Sequence, residues 1–286
     1  MNMSLVLDKE KEKYFEKFKP NLLRFLKATV DINSVPYGDF KGKSHKDFNL
    51  PEYVYGVDIN HLQGEIDFKK VHERNCCVII KATEGSNWAQ PKLKEYALNA
   101  DKENFPLSYY HFATIGYGNS NDSTEEALNF LESIAKLPTP KLPLALDLEK
   151  IYDTNPLSKN QRADWVINFL NIVSAASKTG VMLYTSERKL EEIVGDVPEL
   201  YKYALWLPRY GNNDSIPERW ELPKLPKGWK EWVIWQFTSN YGKDDGVLID
   251  GIERRADRNI IKTDWLLSLG TINPNQIKQE HSAMIK

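Results

Sequence analysis

The sequence predicts an α/β fold in which about eight strands close into a barrel, and three observations predict it. From residue 54 onward, short apolar β-type runs alternate with amphipathic helical stretches, the pattern of parallel strands joined by right-handed crossovers. About eight such strands fall within roughly 215 residues, the span a (β/α) barrel needs. No glycine-rich phosphate loop follows any strand, which counts against the alternative, a doubly wound open sheet that binds a nucleotide.

The elements read as follows in chain order. Residues 54–59 form the first strand and 67–75 a short helix. Residues 76–83, Cys-Cys-Val-Ile-Ile-Lys-Ala-Thr, form a buried strand. Residues 91–104 are helical, with Pro91 suited to a first turn. A strand at 107–113 precedes a helix at 122–137, begun by Asp122 or Ser123 as cap with acidic residues in its first turn. The strand at 142–149 is apolar until it ends in Asp147 and Glu149. Ser158 caps a long helix reaching residue 178, with Trp165, Phe169, Ile172 and Val173 on one stripe. A strand at 180–186 leads to a short helix near 189–194, and 204–210 and 232–238 are further strands. Residues 255–261 make a last, poorly patterned strand, followed by a helix at 263–269. Helices thin out after Ser186, so the final third of the barrel is expected to be irregular.

The flanks differ from this body. In residues 1–52 the apolar positions Tyr14, Phe15, Phe18, Leu22, Leu23, Phe25 and Leu26 fall near helical spacing, with Pro20 dividing two short helices. Residues 36–51 read as a loop or linker. This N-terminal extension is read as an amphipathic cap packed on the main domain, or else as a docking or delivery element where a delivery or immunity partner would bind. Residues 53–270 form the barrel, and 271–286 read as a loose polar tail.

Composition bounds the function. The 286 residues carry a net charge of −2, which argues against a polyanionic partner such as nucleic acid. Eight Trp and 14 Tyr exceed what a core needs and suit a cleft that stacks sugar rings. Cys76 and Cys77 are adjacent, so a disulfide between them would be strained, and two cysteines alone make no zinc site. No metal cluster and no cofactor are implied. The longest apolar run near the start is Leu5-Val6-Leu7, short of the roughly 7–15 residues of a signal-peptide core, and no run reaches the ~18 of a membrane span.

The chemistry is concentrated in Ala145-Leu146-Asp147-Leu148-Glu149-Lys150. Residues i and i+2 of a strand point the same way, so the two carboxylates share a face with α-carbons roughly 6.6 Å apart. Two acids held that close are the apparatus of glycoside hydrolysis. In a barrel, catalytic groups sit at the carboxyl ends of the strands. Those ends supply Asp58, His61 and Gln63, then Lys81 and Glu84, then Tyr110 and His111, then Asp147 and Glu149. Tyr184 follows, then Trp206, Arg209 and Tyr210, then Trp235 and Gln236, and finally Asp257 and Asn259. The set is several acids ringed by aromatics and amides.

Eight segments carry a resemblance over about residues 55–269. They are Tyr55-Gly56-Val57-Asp58-Ile59-Asn60-His61-Leu62-Gln63-Gly64 with Ile66-Asp67-Phe68; Ile80-Lys81-Ala82-Thr83-Glu84-Gly85; Tyr110-His111-Phe112-Ala113; Leu146-Asp147-Leu148-Glu149; Leu183-Tyr184-Thr185-Ser186; Trp206-Leu207-Pro208-Arg209-Tyr210; Trp235-Gln236-Phe237; and Ala256-Asp257-Arg258-Asn259. In this order and spacing the chain resembles the glycoside hydrolase family 25 lysozymes, muramidases of bacterial cell walls. The resemblance implies a modified, TIM-like (β/α) barrel whose last part is mostly strands.

It also implies roles. Glu149 matches the general acid and Asp147 its partner, while Asp58 and Asp257 match two further acids lining the site. The close pair favours retention, because inversion needs about 6.5–9.5 Å between carboxyls for a water. Retention proceeds through an enzyme nucleophile or through the substrate's own N-acetyl group, and the residues alone leave both open. Tyr110, Tyr184, Trp206, Arg209, Tyr210, Trp235, Gln236, Lys81 and Glu84 are the candidate substrate-binding residues. Leu62, Pro208 and Arg258 depart from the family pattern and bear on substrate fit. The expected substrate is bacterial peptidoglycan. A related glycosidase on chitin-like N-acetylated glycans and a non-catalytic wall-binding barrel are the alternatives. The expected route is synthesis in the cytoplasm and action on the wall after lysis, injection or non-classical export.

Overall fold

The computed structural model describes residues 40, 42–117, 123–210, 222–238 and 248–277. Among them run nine strands: β1 (Tyr53–Ile59), β2 (Val78–Glu84), β3 (Trp88–Ala89), β4 (Leu107–Phe112), β5 (Leu144–Asp147), β6 (Val181–Tyr184), β7 (Ala204–Pro208), β8 (Ile234–Gln236) and β9 (Asp257–Lys262). Eight close into a barrel. The sheet runs β1-β9-β8-β7-β6-β5-β4-β2, and β1 pairs back to β2. The two-residue β3 hangs antiparallel on the end of β2. From β1 round to β8 the neighbours are parallel, as the strand–helix alternation predicts.

The last strand departs from that rule: β9 is antiparallel to both β8 and β1. Parallel neighbours need a crossover, usually a helix. Here the chain reverses direction, and β9 closes the ring in the opposite sense.

Strand alternation divides the apolar residues into two layers. Val54, Ile79, Ala145, Met182, Ile234 and Ile261 fill the barrel interior. Val57, Val78, Ile80, Leu144, Leu146, Leu183, Leu205 and Leu207 face outward against the helices. Those helices are α1 (Phe68–Arg74), α2 (Leu93–Lys102), α3 (Ser123–Ile134), α4 (Lys159–Ala176) and α5 (Glu187–Ile193). The cap assigned to Ser158 is present: its side chain and that of Gln161 satisfy each other's backbone N–H groups, and the α4 stripe Trp165, Val166, Phe169, Leu170, Val173 is buried. Asp67 and Ser186 cap α1 and α5 by accepting from the backbone N–H groups of Lys70 and Lys189. Asp122, the alternative cap for α3, lies outside the described residues.

Around β8 and β9, where no helix is described between the strands, an aromatic layer covers the outside of the barrel. Tyr53 stacks on Trp232 at 5.8 Å, Trp232 meets Trp235 edge-on at 6.0 Å, and Phe237 bridges Trp235 and Tyr55. The Arg258 guanidinium covers Tyr55 at 4.1 Å.

The barrel floor is closed by both flanks. Helix α6 (Thr263–Ser268) contributes Leu266 and Leu267 to the interior cluster. The segment read as the start of a loose tail packs beneath them: Ile272 and Ile277 are buried, and Asn273 caps a turn at Pro274–Gln276. From the other flank, Phe48 and Leu50 pack on the same cluster, and His45 holds Asp264 with its backbone N–H at 2.6 Å and its ring at 2.9 Å. The two helices expected near residues 14–26, and residues 278–286 of the expected tail, lie outside the described residues.

Candidate active site

At the carboxyl ends of the parallel strands, opposite the floor, lies a cavity of about 230 Å³. Strand parity decides what enters it. On β5 and the two residues that follow it, Leu144, Leu146 and Leu148 face the helices, while Ala145, Asp147 and Glu149 face inward. On β1 the inward residue at the end is Asp58, and across the β1–β9 ladder its direct partner is Asp257. All four acids line the cavity, joined by Lys81, Tyr110, Tyr184, Trp206, Tyr210 and Gln236. Tyr110 and Tyr184 set their rings edge-on against Trp206 at 6.1 and 4.8 Å, which gives the floor of the cavity a rigid aromatic wall.

Three candidate residues lie elsewhere. Trp235 and Gln236 are neighbours in one strand, so only one of them can face the barrel. Gln236 does; Trp235 is fully buried in the outer layer, its indole N–H donating to the Arg209 carbonyl at 2.8 Å. Arg209 and Tyr210 obey the same parity: Tyr210 turns to the cavity and the Arg209 side chain is exposed. Glu84 is outside the cavity lining, where it accepts from the Lys81 ammonium at 2.7 Å. The β2–β4 register shifts between Lys81 and Thr83, which moves the phase that simple alternation assigns to Glu84.

His111, at a strand end, also faces outward. Its ring lies 2.8 Å from Glu126 Oε2 and 2.8 Å from Thr83 Oγ1, and Glu126 further accepts from the Thr114 backbone and hydroxyl. This buried cluster staples α3 to the ends of β2 and β4, which carry Lys81 and Tyr110.

Sequence reasoning does not pick out Asn60 or Phe112 as site residues, and it names Asn259 only as a strand-end group with no partner. Phe112 lines the cavity beneath the Lys81 ammonium, 4.6 Å from its ring centre, and Asn60 lines it beside Leu62. Asn259 donates to Asp58 Oδ2 at 2.8 Å. The period-2 signal counted on from Asp257 finds Asn259; nothing in the sequence links it to Asp58.

The electrostatics follow from burying acids together. Burial pushes Asp58 up to about 7, against the pull of the Gln236 and Asn259 amides and with help from the charge of Glu149. Asp147 is held well above its usual range, first by burial, then by Glu149, with Lys81 opposing. Its Oδ1 is buried with no hydrogen-bond partner among the described residues. Burial also raises Glu149, opposed by Lys189, Lys81 and Lys150.

A stability prediction follows for Asp58. Its folded pKa lies above the ordinary value of 3.8, so the folded state holds the proton more tightly. The stability this gives is complete below about pH 4 and is lost as pH rises through about 7. Asp58→Asn carries no such penalty and still offers an acceptor to both amides. Thermal melts are expected to place its Tm several degrees above the parent's at pH 8, with the difference vanishing near pH 4. Equal Tm values at pH 8 would show that Asp58 is not strained by burial.

Residues 57–246 match the model of the glycosyl hydrolases family 25. The chain is similar to Lysozyme M1 of Streptomyces globisporus, 26% identical over 217 residues covering 72% of this chain and 67% of that one. It is 30% identical to the autolytic lysozyme of Clostridium acetobutylicum over 162 residues, 54% of this chain and 45% of that one. Among solved structures, the bacterial lysozyme from Streptomyces coelicolor superposes with a TM-score of 0.63 at 24% identity, covering 79% of this chain and 98% of that one, which shows the shared fold.

Proposed function

The chain belongs to the glycosyl hydrolases family 25, and we propose that it is a muramidase that cuts the β-1,4 bond between N-acetylmuramic acid and N-acetylglucosamine in bacterial peptidoglycan, with retention. The observation that carries this reading is the pair Asp147 and Glu149 on the inward face of one strand, in a cavity shared with Asp58 and Asp257 and walled by aromatics. In this reading Glu149 is the general acid. Burial raises its pKa, which keeps the carboxyl protonated for donation to the leaving glycosidic oxygen. After departure of the first sugar, the same carboxylate takes a proton from the water that completes hydrolysis.

Asp147 is the partner acid. A carboxyl so strongly disposed to stay protonated is a poor standing nucleophile. That favours attack by the oxygen of the substrate's own N-acetyl group, with Asp147 orienting the amide. Asp58 and Asp257 supply negative charge where the sugar ring becomes cationic, and Tyr110, Trp206 and Tyr210 offer ring faces and hydroxyls to the glycan.

The purified chain is expected to clear a peptidoglycan suspension while leaving chitin oligosaccharides uncut, and its first products to carry the β configuration. Cleavage of chitin alone would move it to the chitin-like alternative, and wall binding without release of sugar would make it a non-catalytic barrel.

For its setting, the reading is that the protein reaches the wall from the cytoplasm through lysis, injection or non-classical export, and that residues 1–52 meet a delivery or immunity partner. Neighbouring genes decide this: a holin, a secretion apparatus with an immunity gene, or tail genes would each support one route, and none of the three would sink it.

A further inference from the structure

Asp58 lies under a two-armed hydrogen-bond relay, and one arm has its direction set by its far end. The Trp206 indole N–H can only donate, so the Asn259 amide must turn its oxygen to it, at 2.8 Å, and its nitrogen to Asp58 Oδ2, at 2.8 Å. Gln236 forms the second arm. The hydroxyls of Tyr184 and Tyr210 each donate to its Oε1 at 2.8 Å, and its nitrogen donates to the same Asp58 Oδ2 at 2.9 Å. Asp58 Oδ2 therefore receives two N–H groups, and the Asn259 one cannot be reversed without orphaning the Trp206 indole. Asp147, facing the same cleft, has Oδ1 buried without a hydrogen-bond partner among the described residues.

The geometry assigns Gln236 and Asn259 as positioning residues that hold Asp58 as the ionised carboxylate of the cleft and leave Asp147 to carry the proton. The assignment deepens the muramidase reading and rests on it only for its effect on rate. Two charge-assisted hydrogen bonds on one oxygen favour the anion. The other charged and titratable groups do not reverse the order. Asp58 is faced by Asp147 and Glu149 from the end of β5, Asp257 from β9, Lys81 from β2, and the hydroxyls of Tyr110, Tyr184 and Tyr210. Lys81 is the cation among them, and its ammonium is bound to Glu84 at 2.7 Å. Burial raises both acids; at Asp58 the two amides pull against that rise, and at Asp147 the Lys81 charge does. A protonated Asp147 keeps one oxygen as an acceptor for the N-acetyl N–H, and an ionised Asp58 stands ready for the positive charge of the reacting ring.

Carbon-13 NMR titration of the aspartate carboxyls in the full chain, with Asp58→Asn and Asp147→Asn to assign the two signals, reads the order directly. Asp58 is expected to ionise at lower pH than Asp147. Gln236→Leu and Asn259→Leu are each expected to raise the Asp58 midpoint by about one pH unit, the effect of losing one hydrogen bond to a charged group. Ionisation of Asp147 first in the parent, or an unmoved Asp58 midpoint in a variant shown to be folded by near-UV circular dichroism, overturns the assignment; should both variants unfold, the parent's order decides. On peptidoglycan the acidic limb of the kcat profile should move with the Asp58 midpoint, whereas a merely structural role lowers kcat equally at every pH. If the parent does not cut peptidoglycan, the muramidase reading fails and the titration still decides this assignment.

Discussion

Glu149→Gln is expected to lower the rate of peptidoglycan clearing by about 10²–10⁴-fold, the usual worth of a positioned general acid. Glutamine keeps the shape of the side chain and its place at the inward end of β5, but it has no proton to give to a leaving oxygen and cannot take one from water. The environment is built for that proton: burial raises the Glu149 carboxyl even though Lys189, Lys81 and Lys150 all pull the other way. The variant should melt at or above the parent's temperature, because it removes a partly buried acid from a crowded cluster. Clearing within tenfold of the parent by a stably folded Glu149→Gln would remove Glu149 from the reaction.

Trp235→Ala is expected to cost about 3–5 kcal/mol of folding stability, a large share of the 5–15 kcal/mol that a domain usually has. Trp235 is fully buried among Trp232, Phe237 and the outer apolar layer, and its indole N–H satisfies the Arg209 carbonyl. Alanine opens a cavity in the aromatic layer around β8 and leaves that carbonyl without its donor. Urea denaturation reads the loss, and the folded fraction should keep its affinity for glycan. Normal stability with weakened glycan binding would instead place Trp235 at the sugar, against the strand parity described above.

Asp58, Asp147 and Glu149 are legible because each follows apolar alternation long enough to set its phase, whereas Asp257, the first residue of antiparallel β9, is legible only through the segment Ala256-Asp257-Arg258-Asn259. Leu144, Leu146 and Leu148 fix the side on which Asp147 and Glu149 emerge, and the same reasoning holds for Val57 and Asp58. Phase is lost where strands are short or bulged. The strand holding Trp235 and Gln236 has three residues, so both were read as rim groups, and the register shift after Lys81 hid the place of Glu84. The direction of β9 is not legible, because an antiparallel closure leaves no mark in its own residues. Asn259 illustrates a different limit. Its amide meets a carboxylate 201 positions away, and no local pattern announces such a pairing. The floor was misread for a compositional reason: Ile272 and Ile277 are isolated in a polar stretch, and only the open end of the barrel gives them something to bury against.

The most direct test of the account is to identify the new reducing ends in a digest of purified peptidoglycan, by borohydride reduction followed by mass spectrometry. The account predicts that muramic acid is the reduced sugar for the parent chain and that these ends disappear with Glu149→Gln. Reduced glucosamine in its place, or muramic acid ends still released by the Glu149→Gln variant, would contradict it.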